Sequence, residues 1–146
     1  MLPKTLSLAA ALALLGGAAL AETHTVEMLN RGEAGAMVFE PAFIQAQPGD
    51  TITFVPTDGG HNAATLEDLV PAGAEPFEGG MGDEVSITVT EEGLYGVQCT
   101  PHKMMGMVAL IQVGAPTNLD AAQAVAEGLR SKAKERYEAA LAQVVQ

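Results

Sequence analysis

Short runs of alternating apolar and polar residues, each closed within a few positions by Gly, Pro or Asp, constrain this chain most. Val85-Ser86-Ile87-Thr88-Val89-Thr90 puts its apolar side chains on one face and its hydroxyls on the other, the period-two signature of a half-buried strand. Thr51-Ile52-Thr53-Phe54-Val55 follows Pro48-Gly49-Asp50, a turn signal leading into β-branched and aromatic residues. Thr25–Leu29, Met37–Phe39, Phe43–Ala46, Leu94–Gln98 and Val108–Val113 read as further strands, with Glu40-Pro41 as a bend and Glu91-Glu92-Gly93 as a turn. Residues 62–84, punctuated by Pro and Gly, read as a loop-rich crossing with room for one short strand or helical turn. Strands this short, with no long helix between them, predict an all-β antiparallel sandwich.

Both ends of the chain depart from that pattern. Thr117-Asn118-Leu119-Asp120 offers a capping box, and an Ala-rich stretch follows until Gly128. From Ser131 onward, Ala133, Tyr137, Leu141 and Val144 recur at helical spacing, while Lys132, Lys134, Glu135, Arg136 and Glu138 fall mostly on other faces. Two short helices, at about 117–127 and 131–144, are therefore expected to pack on the sandwich. At the other end, Lys4, the apolar run Leu6–Leu15 and Ala19-Leu20-Ala21 compose a secretory leader, residues 1–21, cleaved after Ala21. No twin arginine precedes it, which favours general export of the unfolded chain and metal loading afterwards. Residues 22–146 then form one domain. No other stretch is long and apolar enough for a membrane span. The formal net charge of −11, one unit more negative once Lys4 leaves, argues against nucleic acid and anionic lipid as partners.

Chemistry concentrates in Cys99-Thr100-Pro101-His102-Lys103-Met104-Met105-Gly106-Met107, which holds the chain's 1 cysteine and three of its 7 methionines. A lone cysteine in an exported chain has no internal disulfide partner, which leaves an inert buried thiol, an intermolecular bridge or a metal thiolate. Its place three residues before a histidine and eight before a methionine favours metal. Thiolate, imidazole and thioether at Cys-x2-His-x4-Met spacing suit copper, which must be held passably in both oxidation states. His61, in the Gly-rich turn Thr57–Asn62, supplies the second imidazole of a His2Cys plane with a weak axial thioether. Duller readings stand beside these. His61 could be a solvated turn histidine, and Met104 or Met105 could compete with Met107 for the axial position, although the strand entry Gly106-Met107-Val108 favours Met107. Met28 and Met37 read as packing residues and Met81 as structurally silent. His61, Cys99, His102 and Met107 together predict a blue-copper electron-transfer site, and no acid–base constellation or second metal cluster suggests an enzyme.

Several stretches resemble the cupredoxin family, and its pseudoazurin branch most: Met28-Leu29-Asn30, Gly35–Pro41, Pro48–Thr51, Pro56-Thr57-Asp58, His61-Asn62 and Tyr95–His102. The resemblance covers residues 22–146 and implies a cupredoxin-like Greek-key β-sandwich with two C-terminal helices. It implies one type 1 copper ion per subunit, held by His61, Cys99, His102 and Met107. It further implies that Asn62 ties the ligand loops together with its amide on the thiolate, and that Met37 lies near the exposed histidine. Pro101 has no amide proton to offer the Cys99 sulfur. The implied role is a monomeric periplasmic carrier passing single electrons between redox proteins, such as nitrite reductase or a c-type cytochrome, in denitrification or other respiration. Lys103 and Met104 stand where the family commonly has an aromatic and a glycine. The first departure alters the rim around His102. Gly59, Glu78 and Gln98 stand where the family often has lysines, although Arg31 keeps a charge, and this second departure weakens docking to an acidic reductase. Copper storage or delivery is the alternative, with Met104 and Met105 as spare thioethers. Finally, a chain starting Glu22-Thr23-His24 could wrap a second Cu(II) or Ni(II) in its amine, two amides and imidazole.

Overall fold

The computed structural model describes residues 19–146, so all but the end of the expected leader lies outside the described residues. The described residues hold eight strands: β1 (Thr23–Gly32), β2 (Gly35–Glu40), β3 (Phe43–Ala46), β4 (Asp50–Val55), β5 (Ala64–Thr65), β6 (Val85–Val89), β7 (Gly93–Gln98) and β8 (Val108–Val113). They form two sheets, ordered β2-β1-β4-β6 and β3-β8-β7-β5. Residues 62–84 contribute only β5 and a bridge from Ala64 to Glu78, in line with their Pro and Gly content.

The sandwich is not purely antiparallel. β1 runs parallel to β4, and β3 parallel to β8. Alternation in a sequence reports which face a side chain takes, not which way the strand runs. Here β1 and β2 form an antiparallel hairpin, and the bend at Glu40-Pro41 carries the chain onward into the other sheet as β3. The turn before β4 then reverses it once more, so β4 returns beside β1 in the same direction.

Two cores result. Val26, Met28, Phe39, Ile52, Phe54, Val97, Ala109 and Ile111 fill the space between the sheets, with Phe39 edge-on to Phe54 at 5.8 Å between ring centres. The second core lies on the outer face of the β3-β8-β7-β5 sheet, where Leu66, Leu94, Val108 and Leu110 meet Ala122, Ala133 and Tyr137. β8 faces both, which explains why all six of its residues are buried and why its sequence shows no polar alternation.

The second core is covered by α1 (Leu119–Gly128) and α2 (Ser131–Leu141). The expected capping box does not form. Asn118, not Thr117, is the N-cap, and its side chain makes no cap hydrogen bond. It reaches instead to β7, accepting from Leu94 N at 2.7 Å and donating to Leu94 O at 3.0 Å. Thr117 Oγ1 donates to Glu92 O. These side chains anchor the helix to the sheet instead of closing its first turn. α2 stops before 144 because the buried Gln112 side chain captures the backbone of Val145, donating to its O at 2.6 Å and accepting from its N at 2.9 Å. No helix among the described residues is long and apolar enough to cross a membrane.

One buried carboxylate fastens the start of β1 to β4. Asp50 accepts from Glu22 N at 2.9 Å, from Gln47 N at 2.9 Å and from His24 Nε2 at 2.8 Å. These bonds, the Glu22 amide first, hold its carboxyl down at about 2. A carboxylate held below its unfolded value stabilises the fold above pH ~4, and that stability is lost as pH falls through the folded value. Asp50→Asn is therefore expected to lower Tm at neutral pH and to flatten the decline of Tm between about pH 4 and 2. Equal slopes for wild type and variant in thermal unfolding across that range would contradict this role.

Candidate metal centre

Three potential ligands converge at one end of the sandwich. Cys99 follows β7 directly, His102 sits on a 3-10 turn (Thr100–Met105), and His61 lies on the turn between β4 and β5. The 3-10 turn is a closed unit: His102 N donates to Cys99 O, Met107 N to His102 O, and Cys99 N to Met107 O. Pro101 at its start tolerates the missing donor there. Gly106 ends the turn in a left-handed conformation, φ +92°, and a Cβ there would come within 2.6 Å of Lys132 Cγ. Only glycine meets both demands.

His61 Nδ1 and His102 Nδ1 are 3.1 Å apart, and Cys99 Sγ lies 3.4 Å from His102 Nδ1 and 3.8 Å from His61 Nδ1. Nε2 of His61 donates to Asn30 Oδ1 at 2.8 Å, because a carbonyl oxygen can only accept. The Nδ1 of His61 is therefore a lone pair aimed at the other two donors. Bonds of about 2.0 Å to nitrogen and about 2.3 Å to sulfur, drawn from one centre in a plane, give edges of roughly 3.5–3.7 Å. The observed triangle fits one ion of that kind.

His61, Cys99 and Met107 are 0 % exposed, and His102 is half-buried. The solvated-turn reading of His61 is thus set aside, since the turn folds inward and Gly82 N closes it by bonding His61 O. Burial, then the neighbouring His102 charge, pushes the His61 imidazole below its ordinary value, and Asp58 partly offsets this. Burial raises the Cys99 thiol, against backbone N–H groups of Asn62 and His102 that favour the thiolate. Protons are poorly accommodated on His61, and a bare thiolate on Cys99. A cation that replaces the thiol proton relieves both.

Met107 borders this triangle in the sequence and is wholly buried, whereas Met104 and Met105 are 68 % and 47 % exposed. The latter two form, with exposed Pro101, an apolar rim beside His102. Met28 lies in the core and Met37 packs against it, and Met81 is exposed. The Glu22-Thr23-His24 set is engaged elsewhere: Thr23 and His24 sit in the β1–β4 ladder, and His24 Nε2 is bound to Asp50. Wrapping an ion in those amides would dismantle the ladder.

Asn30 and Arg136 carry weight that the sequence does not announce. Asn30 fixes the His61 ring from an exposed strand position, and Arg136 reaches from α2 to the carbonyls of Met37 and Gly106, the latter next to Met107. Asn62 is the main tie between the ligand segments: its Oδ1 accepts from Thr100 N at 2.7 Å, and its Nδ2 donates to Thr100 Oγ1 at 3.0 Å and Gly79 O at 3.2 Å. Asn62→Ala is expected to destabilise the metal-free protein by about 1–3 kcal/mol, the cost of leaving such groups unpaired. Urea unfolding of metal-free wild type and variant measures it, and equal stability would show that the tie is idle.

The family model described as copper binding proteins, plastocyanin/azurin family, matches residues 26–114. Pseudoazurin from Paracoccus pantotrophus is 56% identical over 137 residues, covering 93% of this chain and 93% of that protein. The crystal structure of pseudoazurin from Hyphomicrobium denitrificans superposes with a TM-score of 0.76 at 44% identity, covering 85% of this chain and 99% of the other. That of pseudoazurin from Methylobacterium extorquens AM1 gives 0.76 at 40% identity, covering 83% and 98%. With a donor triangle of the right size and softness at its centre, this chain belongs to the copper-binding plastocyanin/azurin family, in its pseudoazurin branch.

Proposed function

We propose that the chain is exported to the periplasm and carries single electrons between redox proteins, with His61, Cys99, His102 and Met107 as its copper ligands. Membership of the pseudoazurins makes it a blue-copper electron carrier and not an enzyme. Copper, when bound, supplies a one-electron couple between Cu(II) and Cu(I). The protein supplies a cage that changes little as the charge changes. The observation that carries the reading is the unequal burial of the four: three are wholly enclosed, and His102 alone reaches the surface among apolar neighbours. An enclosed donor set resists rearrangement, and a single imidazole edge offers a short way out for the electron. The same enclosure disfavours storage or delivery, which needs ligands that can be exchanged.

Export is supported by the leader pattern of residues 1–21 and by the start of β1 at Thr23, directly after the expected cleavage at Ala21. Cys99→Ser should abolish the intense visible band of the copper-loaded protein, because the thiolate is its source. Met107→Leu should keep the colour and raise the reduction potential, since losing a weak axial donor costs Cu(II) more than Cu(I). A persistent band in the first variant would refute the site, and an unchanged potential in the second would move the axial role to Met104 or Met105.

The partner is read from charge. The formal charge of the whole chain is −11, and the cation beside the port, Lys103, is paired with Glu67. Long-range forces then favour a partner with a basic docking face, such as a Lys-rich c-type cytochrome, over an acidic nitrite reductase. Close contact through Pro101, Met104 and Met105 is apolar and insensitive to salt. Screening shortens from about 8 Å at roughly 0.15 M to about 3 Å at roughly 1 M ionic strength, so stopped-flow rates with a basic partner should fall as salt rises. Rates that rise with salt for that partner, or fall for an acidic one, would overturn this choice.

A further inference from the structure

The copper-site reading leaves the C-terminal helices without a part in the chemistry, yet one of their side chains grips the ligand loop. Arg136, half-buried in the middle of α2, donates through Nη1 to Ala36 O at 3.0 Å, Met37 O at 2.8 Å and Gly106 O at 3.2 Å. A longer approach of 3.5 Å reaches Met105 O, and Nη2 donates to Ala34 O at 3.2 Å. No carboxylate pairs with this guanidinium among the described residues. Its charge is directed at backbone carbonyls of two segments that are otherwise far apart in sequence. Hydrogen bonds from a charged donor are stronger than neutral ones, and Nη1 alone serves both segments at once, with Nη2 adding Ala34 O.

The two segments are informative. Met105 and Gly106 immediately precede Met107, at the point where the chain leaves the 3-10 turn. Gly106 is also pressed against α2, where an added Cβ would lie 3.0 Å from Arg136 Cδ. On the other side, Met37 holds a left-handed backbone, φ +52°, a strained state for a non-glycine residue that needs outside support. Arg136 is that support.

We infer, resting on the copper ligands proposed above, that Arg136 is a positioning residue of the copper centre. By tying the Gly106 and Met37 carbonyls to α2, it sets how closely the Met107 thioether approaches the plane of His61, Cys99 and His102. A thioether donor is weak and its approach is soft, so backbone placement decides it where the strong ligands cannot. α2 thereby becomes a tuning element of the redox centre.

Arg136→Lys is the informative variant, because it keeps the charge while its ammonium ends one bond short of the Nη1 position that bridges the two segments. Freed from two-sided restraint, the axial distance lengthens. The reduction potential should rise, and the relative intensities of the thiolate charge-transfer bands, together with the rhombicity of the Cu(II) EPR signal, should shift from wild type. Arg136→Gln should show the same spectral shift, while its potential also feels the missing charge. Tyr137→Phe is the control: it removes the bond from Tyr137 OH to Ala122 O on the same helix and should lower Tm without moving spectrum or potential. Arg136→Lys with wild-type spectrum and potential would overturn the inference, as would a Tyr137→Phe protein with the same spectral shift. A wild-type protein that takes up copper without a thiolate band would instead overturn the copper-site reading beneath it. If Arg136→Gln does not fold, Arg136→Lys decides alone.

Discussion

Two stretches of chain, 38 residues apart in the case of Asn62 and Thr100, must deliver donor atoms to one point within a few tenths of an ångström. The Asn62 side chain makes that possible by replacing a missing piece of backbone ladder between them. Its amide accepts from Thr100 N and donates to Thr100 Oγ1 and to Gly79 O, so the His61 turn and the Cys99 strand end are fastened together. Asn30 adds the rotational lock on the His61 ring. With these in place, three donors face one another at 3.1–3.8 Å before any ion is considered. Such preorganisation is what a carrier needs, because an electron then arrives without the ligands having to move.

The remainder of the fold serves as a rigid mount. β8 is buried on both faces, between the inter-sheet core and the core beneath the helices. Cys99 and Met107 cap the paired ends of β7 and β8, where Gln98 faces Val108. A ligand loop grown from two strands buried on both sides has little freedom to drift. The helices close this arrangement: Tyr137, wholly buried, joins α2 to α1 through Ala122 O, and Arg136 joins α2 to the loop itself. The molecule thus reads as one support running from the C-terminal helices to the copper end of the sandwich.

Much of this is legible in the sequence, and the parts that are not share a cause. The donor triangle can be read because Cys99 and His102 belong to a local spacing, and strands because alternation is local too. Strand direction is not local, which is why the parallel pairs of β1 with β4 and β3 with β8 leave no mark in the pattern. Thr117 to Asp120 has the right letters for a capping box, but tertiary partners at Glu92 and Leu94 outcompete the helix end for those side chains. Arg136 sits among Lys132, Lys134, Glu135 and Glu138, where a charged residue reads as solvated; only the fold brings five carbonyls to it. Asn30 and Asp50 are silent for the same reason.

In the proposed site the Cys99 sulfur and two imidazole nitrogens would hold copper, with the Met107 thioether as a fourth, weaker donor. X-ray absorption at the copper edge, recorded on the same sample oxidised and then reduced, tests this directly. Two nitrogens and one short sulfur are predicted in both states, with bond lengths nearly unchanged, and Met107→Leu is predicted to lack the longer copper–sulfur distance. A change in ligand number on reduction, or a first shell with two short sulfurs, would contradict it.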